Sequence, residues 1–160
     1  CIRDRFYVGK VKLKAIKLVE TTYEAMMKGI EKIKPGNTFG DIGNAIQVYA
    51  EKKNYSLVRD FCGHGLGKVF HDHPSVLHFG KPGEGELLQE GMFFTVEPMI
   101  NIGDYKVKVL SDGWTAVTSD KSLSAQFEHT VGVTKTGYEI FTLSKKNFKF
   151  PPYIKNDSKI

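Results

Sequence analysis

The chain has 160 residues, which is the length of one ordinary domain. Apolar residues make up 41% and aromatic residues 12% of it, a composition typical of a folded globular protein. The sequence predicts no membrane-spanning helix because it contains no apolar run of about 18 residues. Two cysteines, Cys1 and Cys62, are too few for a disulfide scaffold, and no apolar leader with a cleavage site is recognisable. We therefore expect a reducing, cytoplasmic location.

The positive charge is concentrated near the two ends of the chain. The net charge is +5 overall, with +5 in residues 1–17, +4 in residues 143–160 and −4 in the segment between them. Proteins that bind nucleic acids usually gather basic and aromatic side chains on one face. We therefore interpret the basic ends as solvated and expect no specific nucleic-acid partner.

Two helices are predicted first. Apolar residues recur at intervals of three and four over residues 11–34, which is typical of an amphipathic helix, and Pro35-Gly36 ends it. Thr38 is a favourable N-cap for a second helix, with Asp41 three residues further on. This second helix should end near Asn54.

Strands are predicted for the rest of the chain. A short strand should cover Tyr55–Phe61, and the segment 62–91, rich in glycine, histidine and proline, should be a loop. The later segments are a strand interrupted by Glu97-Pro98 (Met92–Ile100), a hairpin (Tyr105–Leu110 with Trp114–Thr118) and a second hairpin (Leu123–Thr134 with Gly137–Leu143). Helices followed by antiparallel strands indicate an α+β fold.

Four of the five histidines lie within fifteen residues, at positions 64, 71, 73 and 78. Histidine is a common metal ligand and general acid or base, and loops frequently carry functional sites. Gly63 and Gly65 flank His64 and should let the backbone turn sharply and a ligand approach. A phosphate-binding loop is a poor alternative because no hydroxyl residue follows Gly67-Lys68.

Two carboxylates lie within strand-like apolar segments. Glu97 interrupts an apolar run, and Glu128 lies in another beside His129. A buried carboxylate is costly unless it is paired or binds a metal, although exposure at a sheet edge is an alternative. Two carboxylates with a histidine suit a hard-to-borderline metal such as Mn, Fe, Co or Zn rather than a thiolate site.

A rival metal site is His71-Asp72-His73, which would place two histidines on the same face of a strand. The adjacent Pro74 argues against a central strand there, so this arrangement ranks second.

With these residues the sequence resembles the type I methionine aminopeptidases. The resemblance rests on the order and spacing of several motifs over roughly residues 6–143. They are Cys62-Gly63-His64-Gly65-Leu66-Gly67 with Phe70-His71, Phe94-Thr95-Val96-Glu97-Pro98-Met99, Asp112-Gly113-Trp114-Thr115, and Ser122 through Thr130 with Glu128-His129.

The resemblance implies a pita-bread fold and two divalent metal ions, drawn from Co, Mn, Fe, Zn or Ni. It implies that His64 and Glu97 bind one metal, that Glu128 bridges both, and that Glu97 accepts the proton of the attacking water. His71 would hydrogen-bond the scissile carbonyl. The remaining implied roles are in the methionine pocket, for Phe70, Trp114 and Cys62, and in a monovalent-cation site, for Ser124.

The resemblance also implies ligands that the sequence lacks. Two aspartate ligands and a further histidine would lie before residue 1, and the second aspartate aligns near Cys1. Asp4 is three residues out of register, which on a strand reverses the face. We therefore expect residues 1–143 to be the C-terminal part of a catalytic domain that binds at most one metal and hydrolyses peptides weakly or not at all. Residues 144–160 should form a basic, proline-containing tail.

The implied activity is removal of the N-terminal methionine from peptides and nascent proteins, and the ribosome is an expected partner. A non-catalytic pita-bread module that binds protein or nucleic acid is the alternative. A proline dipeptidase of the same fold fits less well, because Trp114 and the loop from Cys62 to Gly67 favour the methionine enzymes.

Overall fold

The computed structural model describes residues 1–143, so the predicted tail at 144–160 lies outside the described residues. Within residues 1–143, two helices precede ten short strands. The helices are α1 (Leu13–Ile30) and α2 (Phe39–Lys52). The strands are β1 (Ser56–Leu57), β2 (Gly63–Gly65), β3 (Asp72–Val76), β4 (Phe93–Val96), β5 (Met99–Asn101), β6 (Val107–Val109), β7 (Ala116–Thr118), β8 (Ser124–Gln126), β9 (His129–Val133) and β10 (Tyr138–Ile140). No helix among residues 1–143 has the length and apolarity needed to cross a membrane.

The two predicted helices are confirmed, and they pack against each other through their apolar faces. Met26 and Ile30 of α1 are fully buried, as are Ile42 and Ile46 of α2. Burial of such side chains contributes about 1.5–3 kcal/mol each. At Gly29 an added Cβ would lie 2.6 Å from Ile46 Cγ1, so a larger residue there would push the helices apart.

A capping box fixes the start of α2. The Asp41 backbone N–H donates to Thr38 Oγ1 over 3.4 Å, and the Thr38 backbone N–H donates to Asp41 Oδ2 over 2.7 Å. These bonds satisfy backbone groups that the helix itself leaves unpaired. The backbone N–H of Thr38 is the main cause that lowers the pKa of Asp41.

The strands form three antiparallel sheets. The five-stranded sheet has the order β10-β9-β4-β2-β3, the three-stranded sheet β1-β5-β8, and β6 pairs with β7 alone. Both helices lie against the strands, and Phe39 of α2 meets Phe94 edge to face with centroids 4.9 Å apart. The α+β class and the predicted hairpin of β6 and β7 are confirmed.

Three strand predictions were wrong in detail. The segment 62–91 was expected to be a loop but contains β2 and β3, because its glycines, histidines and proline conceal the alternation of a strand. The strand expected over Tyr55–Phe61 is only Ser56–Leu57. The strand expected over Leu123–Thr134 divides into β8 and β9, which belong to different sheets.

The cap of α2 generates the first prediction. Thr38→Ala should lower the free energy of unfolding by about 1 kcal/mol at pH 7, because the N–H and the carboxylate of Asp41 both lose the Thr38 hydroxyl. The folded-state pKa of Asp41 is depressed, so its stabilisation is present above the unfolded pKa of about 3.9 and is lost as pH falls below it. The destabilisation by Asp41→Asn should therefore be larger at pH 7 than at pH 3 in urea unfolding. The exposed Asp60→Asn is the control, and an equal pH dependence in both variants would contradict this role for Asp41.

Candidate metal centre

Glu97 and Glu128 occupy the two places where paired strands pass from one sheet to the other. Glu97 lies between β4 and β5, and Glu128 lies between β8 and β9. Since β4 pairs with β9 and β5 with β8, both interruptions fall at the same level of the ladder. The two carboxylates are therefore brought close together. Each belongs to a backbone segment that has left the regular ladder.

Backbone groups at the interruptions find partners outside the ladder. The Glu97 N–H donates to His78 Nε2 over 3.0 Å, and Gln126 Nε2 donates to the Glu97 carbonyl over 3.2 Å. The Glu128 N–H donates to the carbonyl of Arg3 over 3.0 Å. The cost of breaking the strand pairing is thereby offset by specific hydrogen bonds.

His64 is held in β2 by the close approach of two neighbouring strands. A Cβ at Gly63 would overlap the carbonyl oxygen of Thr95, and one at Gly65 would overlap that of His73. The expectation that these glycines give a sharp turn and room for a ligand was wrong, because both lie in an extended strand and their missing side chains admit neighbouring backbone instead. The pairing of β2 with β3 shifts register between His64 and Gly65.

The Thr95 hydroxyl connects His64 to Glu97. It accepts the His64 backbone N–H over 3.0 Å and donates to Glu97 Oε1 over 2.7 Å. The other carboxylate oxygen, Oε2, accepts Gln126 Nε2 over 3.2 Å. Thr95 and Gln126 were not predicted as site residues, although each lies two positions before a carboxylate, the spacing that places strand residues on one face.

The ligand atoms converge on one region. His64 Nε2 lies 3.8 Å from Glu97 Oε1, and ligand atoms of His64, Glu128 and Cys1 lie within 4.8 Å of one another. His64 Nδ1 lies 2.9 Å from the Gly65 carbonyl, which only accepts hydrogen bonds, so Nδ1 is the donor of this bond. Nε2 is left to face the carboxylates, as in metal-binding histidines whose second nitrogen donates to a carbonyl.

The electrostatics of this region favour a bound cation. Burial raises the pKa of Glu97; the hydrogen bond from Thr95 acts in the opposite direction, and the neighbouring Glu128 raises the pKa further. Glu128 is only 9% exposed. Two neighbouring carboxylates and an imidazole are side chains of the kind that divalent ions accept as ligands, and such a set fits a divalent ion.

His71 and Phe70 lie beside His64. The rings of His71 and His64 meet edge to face with centroids 4.4 Å apart, and Phe70 lies 4.6 Å from His71 by the same measure. Phe70 is 67% exposed. His71 is also exposed, so its ring adds an accessible hydrogen-bonding group beside His64.

The rival site formed by His71, Asp72 and His73 is not assembled. β3 begins only at Asp72, and His73 Nε2 lies 2.7 Å from Glu86 Oε1 at the surface. The two histidine rings therefore have different neighbours. Pro74 does lie on an edge strand, as its missing N–H requires.

Three further predicted residues lie apart from the cluster or at its margin. Cys62 directly precedes β2 and is half-buried with a free thiol. Trp114, in the turn between β6 and β7, is 89% exposed. Ser124 is exposed on β8 opposite Asn101. With this exposure, the Trp114 side chain is not packed against His64 or any other described part of the cluster.

The charge of Asp4 affects Tyr23 and His129 and is not among the causes that shift the pKa of Glu97. Its charge raises the pKa values of Tyr23 and His129, in each case as a smaller cause than burial, which raises that of Tyr23 to about 12 and lowers that of His129. Arg3, the adjacent residue, acts instead on Glu97.

His78 positions the backbone of Glu97. It is one of the four clustered histidines in the sequence, where this role was not predicted. It is 2% exposed, and burial lowers its pKa to about 3, so the ring is neutral and Nε2 accepts the Glu97 N–H. No pattern in the sequence distinguishes this buried histidine from the exposed His73.

A second prediction follows from His78. His78→Leu should lower the free energy of unfolding by about 1–3 kcal/mol, because the Glu97 N–H loses its acceptor in a buried place. His73→Ala, which removes only an exposed pair with Glu86, should change it by less than about 1 kcal/mol. Equal losses in urea unfolding would contradict this assignment.

Residues 2–135 match the model of metallopeptidase family M24. The chain is 64% identical over 150 residues to the methionine aminopeptidase of Rickettsia prowazekii, covering 92% of this chain and 58% of that protein. It is 57% identical over 139 residues to methionine aminopeptidase B of Synechocystis, covering 87% of this chain and 51% of the relative. The chain thus spans little more than half the length of these relatives.

Solved structures agree with the sequence comparison. The R. prowazekii methionine aminopeptidase superposes with a TM-score of 0.84, covering 86% of this chain and 56% of that one at 64% identity. A prolidase from Pyrococcus horikoshii, with a TM-score of 0.67 and 24% identity over 90% of this chain and 36% of its own, shares the fold alone.

The chain belongs to metallopeptidase family M24 and has its pita-bread fold. Within that family it resembles the methionine aminopeptidases, as the motifs around His64, Glu97 and Glu128 predicted.

Proposed function

We propose that this chain supplies part of a metal-dependent active site that removes N-terminal methionine from peptides and nascent proteins. The observation that carries the proposal is that His64 approaches both carboxylates where two paired strands are interrupted: its Nε2 lies 3.8 Å from Glu97 Oε1, and ligand atoms of His64 and Glu128 lie within 4.8 Å of each other. The names of the relatives support the substrate.

His64 Nε2 and the carboxylates of Glu97 and Glu128 would hold the metal. When bound, a divalent ion acts as a Lewis acid that activates water and polarises the carbonyl of the peptide bond. Co, Mn, Fe, Zn and Ni all accept such nitrogen and oxygen ligands. We expect the 160 residues by themselves to hold at most one ion, with the second ion of the intact family depending on ligands that these residues lack.

Glu97 is the candidate general base. Its pKa is raised, mainly by burial, which makes its carboxylate a better proton acceptor near neutral pH. The hydrogen bond from Thr95 fixes Oε1, so the carboxylate keeps one orientation as it takes up the proton of the attacking water.

His71 would donate a hydrogen bond to the oxygen of the scissile carbonyl as negative charge develops there. Its exposed ring beside His64 leaves it accessible to a substrate. Phe70, Trp114 and Cys62 would line the methionine pocket, since apolar and polarisable walls suit a thioether. Phe70 and Trp114 are both exposed, so the described residues alone form an open pocket rather than an enclosed one.

Ser124 would contribute to a monovalent-cation site. It lies opposite Asn101, whose buried Oδ1 has no hydrogen-bond partner among the described residues. An oxygen in that condition suits a bound cation. A cytoplasmic location and access to nascent chains near the ribosome complete the proposal.

The proposal is tested by methionine release from Met-Ala-Ser on the 160-residue chain with added Mn²⁺ or Co²⁺. Release should be slow, require metal, and disappear in His64→Ala but persist in His73→Ala, whose ring lies at the surface. Calorimetry on the same samples should show at most one ion bound per chain. Release independent of metal or of His64 would contradict the proposal, and a chain that binds no metal would favour the non-catalytic module.

Thr95 provides a third prediction. Thr95→Val should weaken Mn²⁺ or Co²⁺ binding about 10–100-fold, because Glu97 loses the hydroxyl that orients it. Thr118→Val removes a hydroxyl that bonds the Ser122 carbonyl on the separate β6–β7 hairpin, and it should leave metal affinity unchanged. Equal affinities in the two variants, measured by calorimetry, would exclude Thr95 as a positioning residue.

A further inference from the structure

The segment that begins the chain lies beside the carboxylates. Arg3 and Glu128 form an antiparallel bridge in which each backbone N–H donates to the other residue's carbonyl, over 3.2 and 3.0 Å. The Thr130 hydroxyl donates to the Cys1 carbonyl over 2.7 Å. Three hydrogen bonds therefore hold residues 1–3 against the start of β9.

This pairing fixes the direction of the Cys1 side chain. In an antiparallel pair, opposite residues share a face, and so do residues two positions apart. Cys1 is two residues from Arg3, which is opposite Glu128, so Cys1 and Glu128 lie on the same face. The ligand atoms of Cys1, His64 and Glu128 indeed lie within 4.8 Å of one another.

We propose that the Cys1 thiolate is a ligand of the metal held by His64 and Glu128, so that the site has sulfur, nitrogen and oxygen donors. This inference rests on the proposed metal centre. Bond lengths to zinc are about 2.3 Å for sulfur and 2.0–2.1 Å for nitrogen, so at the tetrahedral angle the donor atoms that share one ion lie roughly 3.3–3.6 Å apart. From a spacing within 4.8 Å, the side chains need to close by about 1 Å, which rotation about their own bonds can supply.

Binding converts the thiol to a thiolate. The S–H bond breaks, a sulfur–metal bond forms, and the proton passes to solvent. No oxidant or reductant is required. The chemical consequence is metal preference: thiolate favours Zn²⁺ and Co²⁺, whereas a site built of carboxylates and one imidazole also suits Mn²⁺. The oxygen-and-nitrogen site expected from the sequence is therefore extended by a softer donor.

The test is a spectroscopic Co²⁺ titration of the whole chain beside Cys1→Ser, Cys1→Asp and Cys62→Ser. Wild type and Cys62→Ser should bind about one Co²⁺ and develop a near-ultraviolet thiolate-to-cobalt charge-transfer band together with visible d–d bands. Cys1→Ser should lose the charge-transfer band and bind Co²⁺ at least tenfold more weakly. Cys1→Asp should recover affinity without the band and shift the preference from Zn²⁺ towards Mn²⁺ in competition.

The outcomes separate this inference from the proposed function. Visible d–d bands that depend on His64, with no charge-transfer band in wild type or with the same band in Cys1→Ser, would overturn the role of Cys1 and leave the metal centre standing. No cobalt spectrum in wild type at millimolar Co²⁺ would overturn both. A band lost in Cys62→Ser instead would assign the thiolate to the other cysteine and also overturn the inference.

Discussion

The interruption of two paired strands at Glu97 and Glu128 is the constraint on which the site depends. The register of β4 on β9 continues unchanged in β5 on β8, so Glu97 lies opposite Glu128, and opposite residues of an antiparallel pair share a face. In regular strands the backbone groups of these two residues would be occupied by each other, but the pairing is interrupted at this point. The backbone groups freed there are taken by His78, Gln126 and Arg3.

Two carboxylates lie close to each other beside the imidazole of His64, so negative charge is concentrated in the site and creates an electrostatic imbalance. The structure moderates it with the hydroxyl of Thr95 and the amide of Gln126, which bond Glu97. The raised pKa of Glu97 shows that desolvation still outweighs these bonds. A divalent cation would relieve the imbalance directly, which is consistent with a chain that belongs to a metallopeptidase family.

The edge of this site is formed by the segment that carries Cys1. Its pairing with Glu128 brings a soft donor to a set that is otherwise hard, so the metal preference of the chain depends on a backbone bridge rather than on the helices or the main sheet. The same bridge directs Arg3 and Asp4 to opposite faces, and their charges consequently act on different groups.

The sequence by itself determined the helices, the α+β class, the family and the identity of His64, Glu97 and Glu128 as candidate ligands. These follow from local signals: apolar periodicity, the cap at Thr38 and motif spacing. Only the tertiary structure decided that β2 and β3 exist, that His78 supports Glu97 while His73 turns to Glu86, and that Cys1 approaches Glu128. Those features depend on contacts between residues distant in the chain, and glycine-rich strands or identical histidines carry no local pattern that reveals them.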